Sequence, residues 1–177
     1  NAYNRKPFSK TEVKKIWDVK DSNIYYTVIL MLIYTGCRIG ELLDLKKENV
    51  NLEERYFKIV ASKTAAGIRT APISEKVHPF FEYWYNLNDC EYLLSTPEGE
   101  HFKYRNYYDS YWSPLIETLG MKHRPHDTRH TCISMLTVAG VSDKVIKKIV
   151  GHKGQGVTEV VYTHFEIEEL IDAINKI

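Results

Sequence analysis

Cysteine is scarce in this chain, with three in 177 residues at positions 37, 90 and 132. An odd, scattered set without metal-ligand spacing gives neither a disulfide framework nor a zinc site, and it favours reduced thiols in a cytoplasm. Long apolar runs are also missing. The most apolar stretch, Val28 to Tyr34, is far short of the roughly 20 residues a bilayer crossing needs, and no signal peptide is visible. There is no internal repeat, low-complexity tract or interdomain linker, so residues 1–177 read as a single domain, with Asn1–Ala2 a candidate expression scar. An excess of one charge is lacking too. A net charge of +1 argues against a partner held by the whole surface.

The charge is nevertheless unevenly placed. From Leu119 to Lys153 seven lysines or arginines face only Asp127 and Asp143, whereas from Gly154 onward five acidic residues face only Lys176. A basic face can therefore hide in the average, although Lys147 and Lys148 individually read best as a solvated helix surface.

Local patterns predict a mainly helical domain with a small sheet. Ser9-Lys10-Thr11-Glu12 is a capping box, with Val13, Ile16 and Trp17 at helical spacing behind it. The segment from about Asn23 to Tyr34 is apolar nearly all round, so it belongs at the centre, and Gly36 stops it. Ile39 to Leu45 reads as a short amphipathic helix with Leu42 and Leu43 inward. Arg55 to Val60 and Arg69 to Ile73 read as strands joined by a turn at Gly67, with Pro72 at a strand end or edge. Helices are predicted near Lys76–Leu87 and Tyr104–Leu119, the second with Tyr104, Tyr107, Tyr108, Tyr111 and Trp112 mainly as packing residues.

The chemistry concentrates between Pro125 and Phe165, PHDTRHTCISMLTVAGVSDKVIKKIVGHKGQGVTEVVYTHF. His126 and Arg129 are three apart on a helix continued by Cys132, Ile133, Leu136 and Val138, which places both on one face. Asp127 reads as its cap and Gly140 as its stop. Ser142 then begins a helix with a stripe of Val145, Ile146, Ile149 and Val150, ended by Gly151, so His152 stands just past a helix C-terminus. Tyr162 follows on a short helical segment beginning near Val157.

HDTRHT, the Gly151–His152 pair and YTH at Tyr162 to His164 resemble the C-terminal half of the catalytic domain of tyrosine recombinases, the phage and transposon integrases. TGCRIGELLDL at Thr35 to Leu45 resembles that family's first-arginine motif, and SKTAAGIRTAPI at Ser62 to Ile73 its lysine-bearing hairpin. Five motifs in family order cover nearly the whole chain. The resemblance implies an α+β, mainly α-helical catalytic domain with a three-stranded antiparallel sheet. It also implies N-terminal DNA-binding domains not contained in these residues. Its catalytic set falls on Arg38, Glu41, Lys63, His126, Arg129, His152 and the nucleophile Tyr162.

A tyrosine attacking a DNA phosphodiester faces a centre that gains negative charge, which fixed arginines stabilise best because their planar fork reaches two oxygens. The resemblance therefore gives Arg38 and Arg129 the phosphate, Glu41 the orientation of an arginine or histidine, and Lys63 the protonation of the leaving 5′ oxygen. His126 and His152 would bond the phosphate, with His126 also placed to help take the tyrosine proton. No cofactor or metal is implied. The implied partner is double-stranded DNA at a core site of a prophage or conjugative transposon, engaged by a homotetramer that is a monomer when isolated, with accessory directionality factors. The Lys153-Gly154-Gln155-Gly156 interval before Tyr162 is slightly longer than in many members of the family.

Other readings remain open at this point. His126 and His130, at i and i+4, superficially match a zinc-protease helix, but Asp127 stands where the base would be glutamate and Arg129 puts a cation beside the metal. A DNA-binding module without catalysis, a type IB topoisomerase and a telomere resolvase are further alternatives. His130 and His164 read as structural. Finally, Ile167, Leu170, Ile171, Ile174 and Ile177 make an apolar stripe on a terminal helix, residues 166–177, that packs on its own domain or docks on a neighbouring copy.

Overall fold

The computed structural model describes residues 6–62, 64–151 and 164–177. Within them the order is α1 (Lys10–Val19), α2 (Tyr25–Thr35), α3 (Ile39–Leu43), β1 (Val50–Asn51), β2 (Tyr56–Ile59), β3 (Arg69–Pro72), α4 (His78–Asn86), α5 (Tyr104–Tyr107), α6 (Ser113–Thr118), α7 (His126–Val138), α8 (Asp143–Val150) and α9 (His164–Ile174). The fold is α+β and mainly helical, as expected.

The capping box opens α1: Ser9 Oγ accepts from Glu12 N at 3.1 Å and Glu12 Oε1 accepts from Ser9 N at 2.8 Å. Two donors that the first turn would leave orphaned are satisfied this way. All of α2 is buried, and it packs against α1, α4 and α7, as a helix apolar on every side requires. Gly36 ends it with φ 69°. A Cβ on Gly36 would lie 2.6 Å from Val150 Cγ1 and 3.2 Å from Cys132 Sγ, so glycine there serves both the left-handed turn and the close approach of α7 and α8.

The three strands form one antiparallel sheet in the order β1-β2-β3. Tyr56 pairs with Pro72 and Ile59 with Arg69. Pro72 thus sits at the end of an edge strand, where its missing N–H costs no ladder bond. The residue that turns β1 into β2 is Arg55, which adopts a left-handed φ of 63° rather than belonging to the strand.

Further expectations need correction. Tyr104–Leu119 is not one regular helix: between α5 and α6 the segment Tyr108–Trp112 widens to π geometry, with Ser113 N donating to Tyr108 O. Pro114, in the first turn of α6, cannot donate to the fourth residue back, and the wider turn accommodates that loss. Val138 is 80% exposed and is not part of the core stripe of α7.

A buried polar tie fixes α7 against α1. His123 Nδ1 lies 2.8 Å from Asp127 Oδ2, and its Nε2 lies 3.0 Å from Glu12 Oε1. The His123 ring stacks on Phe8 at 3.8 Å, and Phe8 N donates to Thr131 Oγ1. Asp127 is therefore not the cap of α7, whose N-cap position is Pro125. Its carboxylate faces back along the chain, holding His123 and the Arg124 N–H.

The terminal helix packs on its own domain, α9 lying against β3 and α8. Leu170, Ala173, Ile174 and Ile177 are buried, Ile167 and Ile171 partly so, and Asn175 Oδ1 accepts the Glu75 N–H at 2.9 Å.

Candidate active site

Arg129, in the second turn of α7, is only 3% exposed. Its Nη1 donates to Gly36 O at 3.1 Å and to Val150 O, the carbonyls at the ends of α2 and α8. Both helices stop in left-handed glycines, Gly36 and Gly151, and their C-termini carry partial negative charge toward the guanidinium. Nη2 is buried with no hydrogen-bond partner among the described residues. Burial first, then repulsion from Arg38 and Arg69, brings the Arg129 pKa down to about 10. It remains a cation at neutral pH.

Arg38 lies between α2 and α3, with its side chain 33% exposed. Glu41, one turn on, accepts the Arg38 N–H through Oε1 at 2.9 Å, fixing the entry to α3, while its Oε2 stays 3.6 Å from Arg38 Nη1. That separation is beyond hydrogen-bonding range, and Arg38 Nη1 is buried without a hydrogen-bond partner among the described residues. Glu41 is instead gripped by Arg69, with Nη1 to Oε2 at 2.9 Å and Nη2 to Oε1 at 3.0 Å. Burial alone would raise the Glu41 pKa; the hydrogen bonds and charge of Arg69, then the Arg38 N–H and guanidinium, hold it below the ordinary carboxylate value.

In the sequence Arg69 reads only as a strand residue, yet its side chain is 1% exposed. Every residue of β3 is buried, so an arginine there must find partners inside. Besides Glu41 it donates Nε to Ile149 O at 2.9 Å and Nη1 to Gly67 O at 2.6 Å.

The cluster opens into a cleft of about 900 Å³ lined by Arg38, Lys58, Tyr104, Arg124 and His126 among others. The first turn of α7, the N-terminus of α3 and the strand β2 all face this cleft, so His126 and Arg38 line the same space. Tyr104 is 46% exposed on the cleft wall, whereas Tyr107 and Trp112 are buried, so the aromatic helix divides between lining and core. The His126 and His130 rings meet edge-on with centroids 4.9 Å apart. Among the described residues no three His, Cys, Asp or Glu side chains converge as metal ligands, so a zinc helix would lack its third ligand there. The nearby thiols are poor nucleophiles: burial pushes Cys37 up to about 11 and Cys132 up to about 12.

Of the seven expected site residues, Arg38, Glu41 and His126 line one cleft, and Arg129 is buried close enough to feel the charges of Arg38 and Glu41. Lys63, His152 and Tyr162 lie outside the described residues, as does the helical segment near Val157. The chain fixes their neighbours: Ser62 lines the cleft, Gly151 closes α8, and α9 begins two residues after Tyr162.

Among the described residues no helix is long and apolar enough to cross a membrane. The tyrosine recombinase XerA of Pyrococcus horikoshii is 30% identical over 97% of this chain and 61% of its own length. A tyrosine recombinase of Agathobacter rectalis is 27% identical over 98% of this chain and 57% of its own. The chain therefore spans about 60% of the curated relatives it matches. In structure it resembles the Tn1549 transposon integrase bound to circular-intermediate DNA, with TM-score 0.76 and 19% identity over 87% of this chain and 60% of that one. It also resembles the integrase of mycobacterium phage Brujita, with TM-score 0.74 and 18% identity over 99% and 59%. The sequence pattern of the phage integrase family matches residues 6–169, and with the arginine cluster and fold in agreement, this chain belongs to that family.

Proposed function

We propose that this chain is the catalytic domain of a site-specific tyrosine recombinase that cuts and rejoins DNA through a 3′-phosphotyrosyl intermediate. The observation that carries the proposal is the arginine cluster. Arg38, Arg69 and Arg129 surround one carboxylate, and two guanidinium nitrogens, Arg38 Nη1 and Arg129 Nη2, are buried without partners among the described residues. Cations in such excess call for an anion, and forked donors beside a cleft suit a phosphodiester.

In this reading Arg38 and Arg129 hold the non-bridging oxygens of the scissile phosphate, and their charge offsets what develops as Tyr162 attacks. Tyr162 Oη forms a bond to phosphorus as the bond to the 5′ deoxyribose oxygen breaks, and the leaving oxygen takes a proton from Lys63. His126 and His152 complete the phosphate contacts, with His126 placed to help take the tyrosine proton. The phosphotyrosyl bond preserves the energy of the broken linkage, so a second 5′ hydroxyl can reverse the step on a different strand. No metal or nucleotide enters this scheme.

The partner is double-stranded DNA at a core recombination site. The Tn1549 and lambda integrase structures contain DNA, the latter in a tetramer on a Holliday junction, which supports assembly of this chain as a homotetramer on DNA. Accessory directionality factors and a cytoplasmic location in a bacterium belong to the same proposal.

Strand exchange separates this reading from a topoisomerase. Two duplexes carrying the core site, incubated with the full-length protein, should yield recombinant junctions; relaxation of supercoils without exchange would favour the topoisomerase alternative. For Lys63, the expected loss in Lys63→Ala is about 10²–10⁴-fold on ordinary DNA, as for a missing general acid. A bridging sulfur, a far better leaving group, should recover most of that rate; equally slow cleavage of the sulfur substrate would make Lys63 a positioning residue.

A further inference from the structure

Glu41 lies where it could disable the site it supports. Its Oε2 is 3.6 Å from Arg38 Nη1, and its side chain is only 6% exposed, so little water screens its charge. A carboxylate free to rotate there would close this loose ion pair to hydrogen-bond contact and remove one of the two forks available to an anion. Arg69 prevents this by engaging both carboxylate oxygens at 2.9 and 3.0 Å. Its remaining donors anchor it to Gly67 O and Ile149 O, on the hairpin turn and the last turn of α8, so three elements fix its position.

We propose that Arg69 is a positioning residue that sequesters the Glu41 carboxylate and so keeps Arg38 and Arg129 available for a phosphate. The net charge of the cluster makes the idea separable from simple support of the fold. Three arginines and one glutamate carry +2. Arg69→Gln lowers this to +1 and releases Glu41 toward Arg38. Adding Glu41→Gln restores +2 and removes the competitor, while the glutamine oxygen can still accept the Arg38 N–H. Removing the unpaired buried carboxylate also favours the double variant in stability, so the discriminating quantity is each variant's response to an anion, measured against its own ligand-free state.

Two readouts test this, and only the first depends on the recombinase reading. On a nicked core-site substrate at saturating concentration, Arg69→Gln should slow covalent adduct formation by about 100-fold, as loss of one transition-state fork does. The double variant should recover at least about tenfold of that loss, the coupling expected of groups in direct contact. In the second readout inorganic phosphate is titrated against the domain and followed as a rise in melting temperature, which reports anion affinity without any DNA chemistry. The double variant should regain a clear part of the wild-type response, and Arg69→Gln should respond least.

Should wild type form no adduct at all, the recombinase reading fails and the phosphate titration still decides the role of Arg69. A double variant no better than the single one in phosphate response overturns the proposal, as does an Arg69→Gln single variant that behaves as wild type. If Arg69→Gln does not fold, Arg69→Lys replaces it: its ammonium keeps the charge beside Glu41, so it should retain phosphate binding, and loss of that response in a folded Arg69→Lys domain equally overturns the proposal.

Discussion

Glu41 shows how much of the site is electrostatic. Its native pKa is lowered, so its ionised form stabilises the fold at every pH above the ordinary carboxylate value of 4.5. That contribution is lost as pH falls through the lowered native value. Glu41→Gln leaves Arg69 buried without its counter-charge and should cost about 3–5 kcal/mol at pH 7, the usual penalty for breaking a buried pair. Denaturant unfolding should show this gap shrinking as pH drops below 4.5; a gap independent of pH would mean that Glu41 acts by shape alone. Much of this site was legible in the sequence because Arg38 with Glu41, and His126 with Arg129, lie three apart in motifs that resemble those of the tyrosine recombinases, and that resemblance joins the two pairs. Arg69 was not, because residue patterns score arginine as polar and β3 is too short to reveal that all four positions are buried. Asp127 was misjudged for a related reason: a carboxylate beside a helix start reads as a cap, and only the fold shows His123 behind it.

Helix ends were the most readable elements, since capping boxes and left-handed glycines are local chemistry. Ser9 and Gly36 behave as the sequence predicts, and the end of α2 can be tested directly. Gly36→Ala forces a side chain into a left-handed φ of 69° and within 2.6 Å of Val150 Cγ1. It should destabilise the domain by at least about 1–2 kcal/mol from the backbone alone. It should also slow phosphate-dependent chemistry, because Gly36 O and Val150 O both hold Arg129; an unchanged melting temperature would show that α2 and α8 separate without cost. The π turn between α5 and α6 was invisible in the pattern. A wider turn keeps nearly the same apolar spacing, and its cause, Pro114, reads equally well as an ordinary helix start.

At the scale of the whole molecule, the terminal helix is where the sequence left two options and the fold gives one arrangement. With Leu170, Ala173, Ile174 and Ile177 buried on the domain that carries them, deleting residues 167–177 should lower the melting temperature of the free domain by several degrees or more, as loss of a few kcal/mol does at this size. An unchanged melting temperature, with weaker assembly on paired core sites, would instead favour docking on a neighbouring copy. Because α9 begins two residues after Tyr162, the same deletion also tests whether this helix matters to the proposed nucleophile. Under the proposed mechanism Tyr162 becomes covalently joined to DNA in a site whose arginines are already in place. The most direct test is incubation with a nicked suicide substrate bearing the cognate core site, followed by peptide mapping of the trapped complex. A 3′-phosphate ester on Tyr162 is expected, absent in Tyr162→Phe although DNA binding persists; an adduct that survives in Tyr162→Phe, or maps to another residue, would contradict the mechanism.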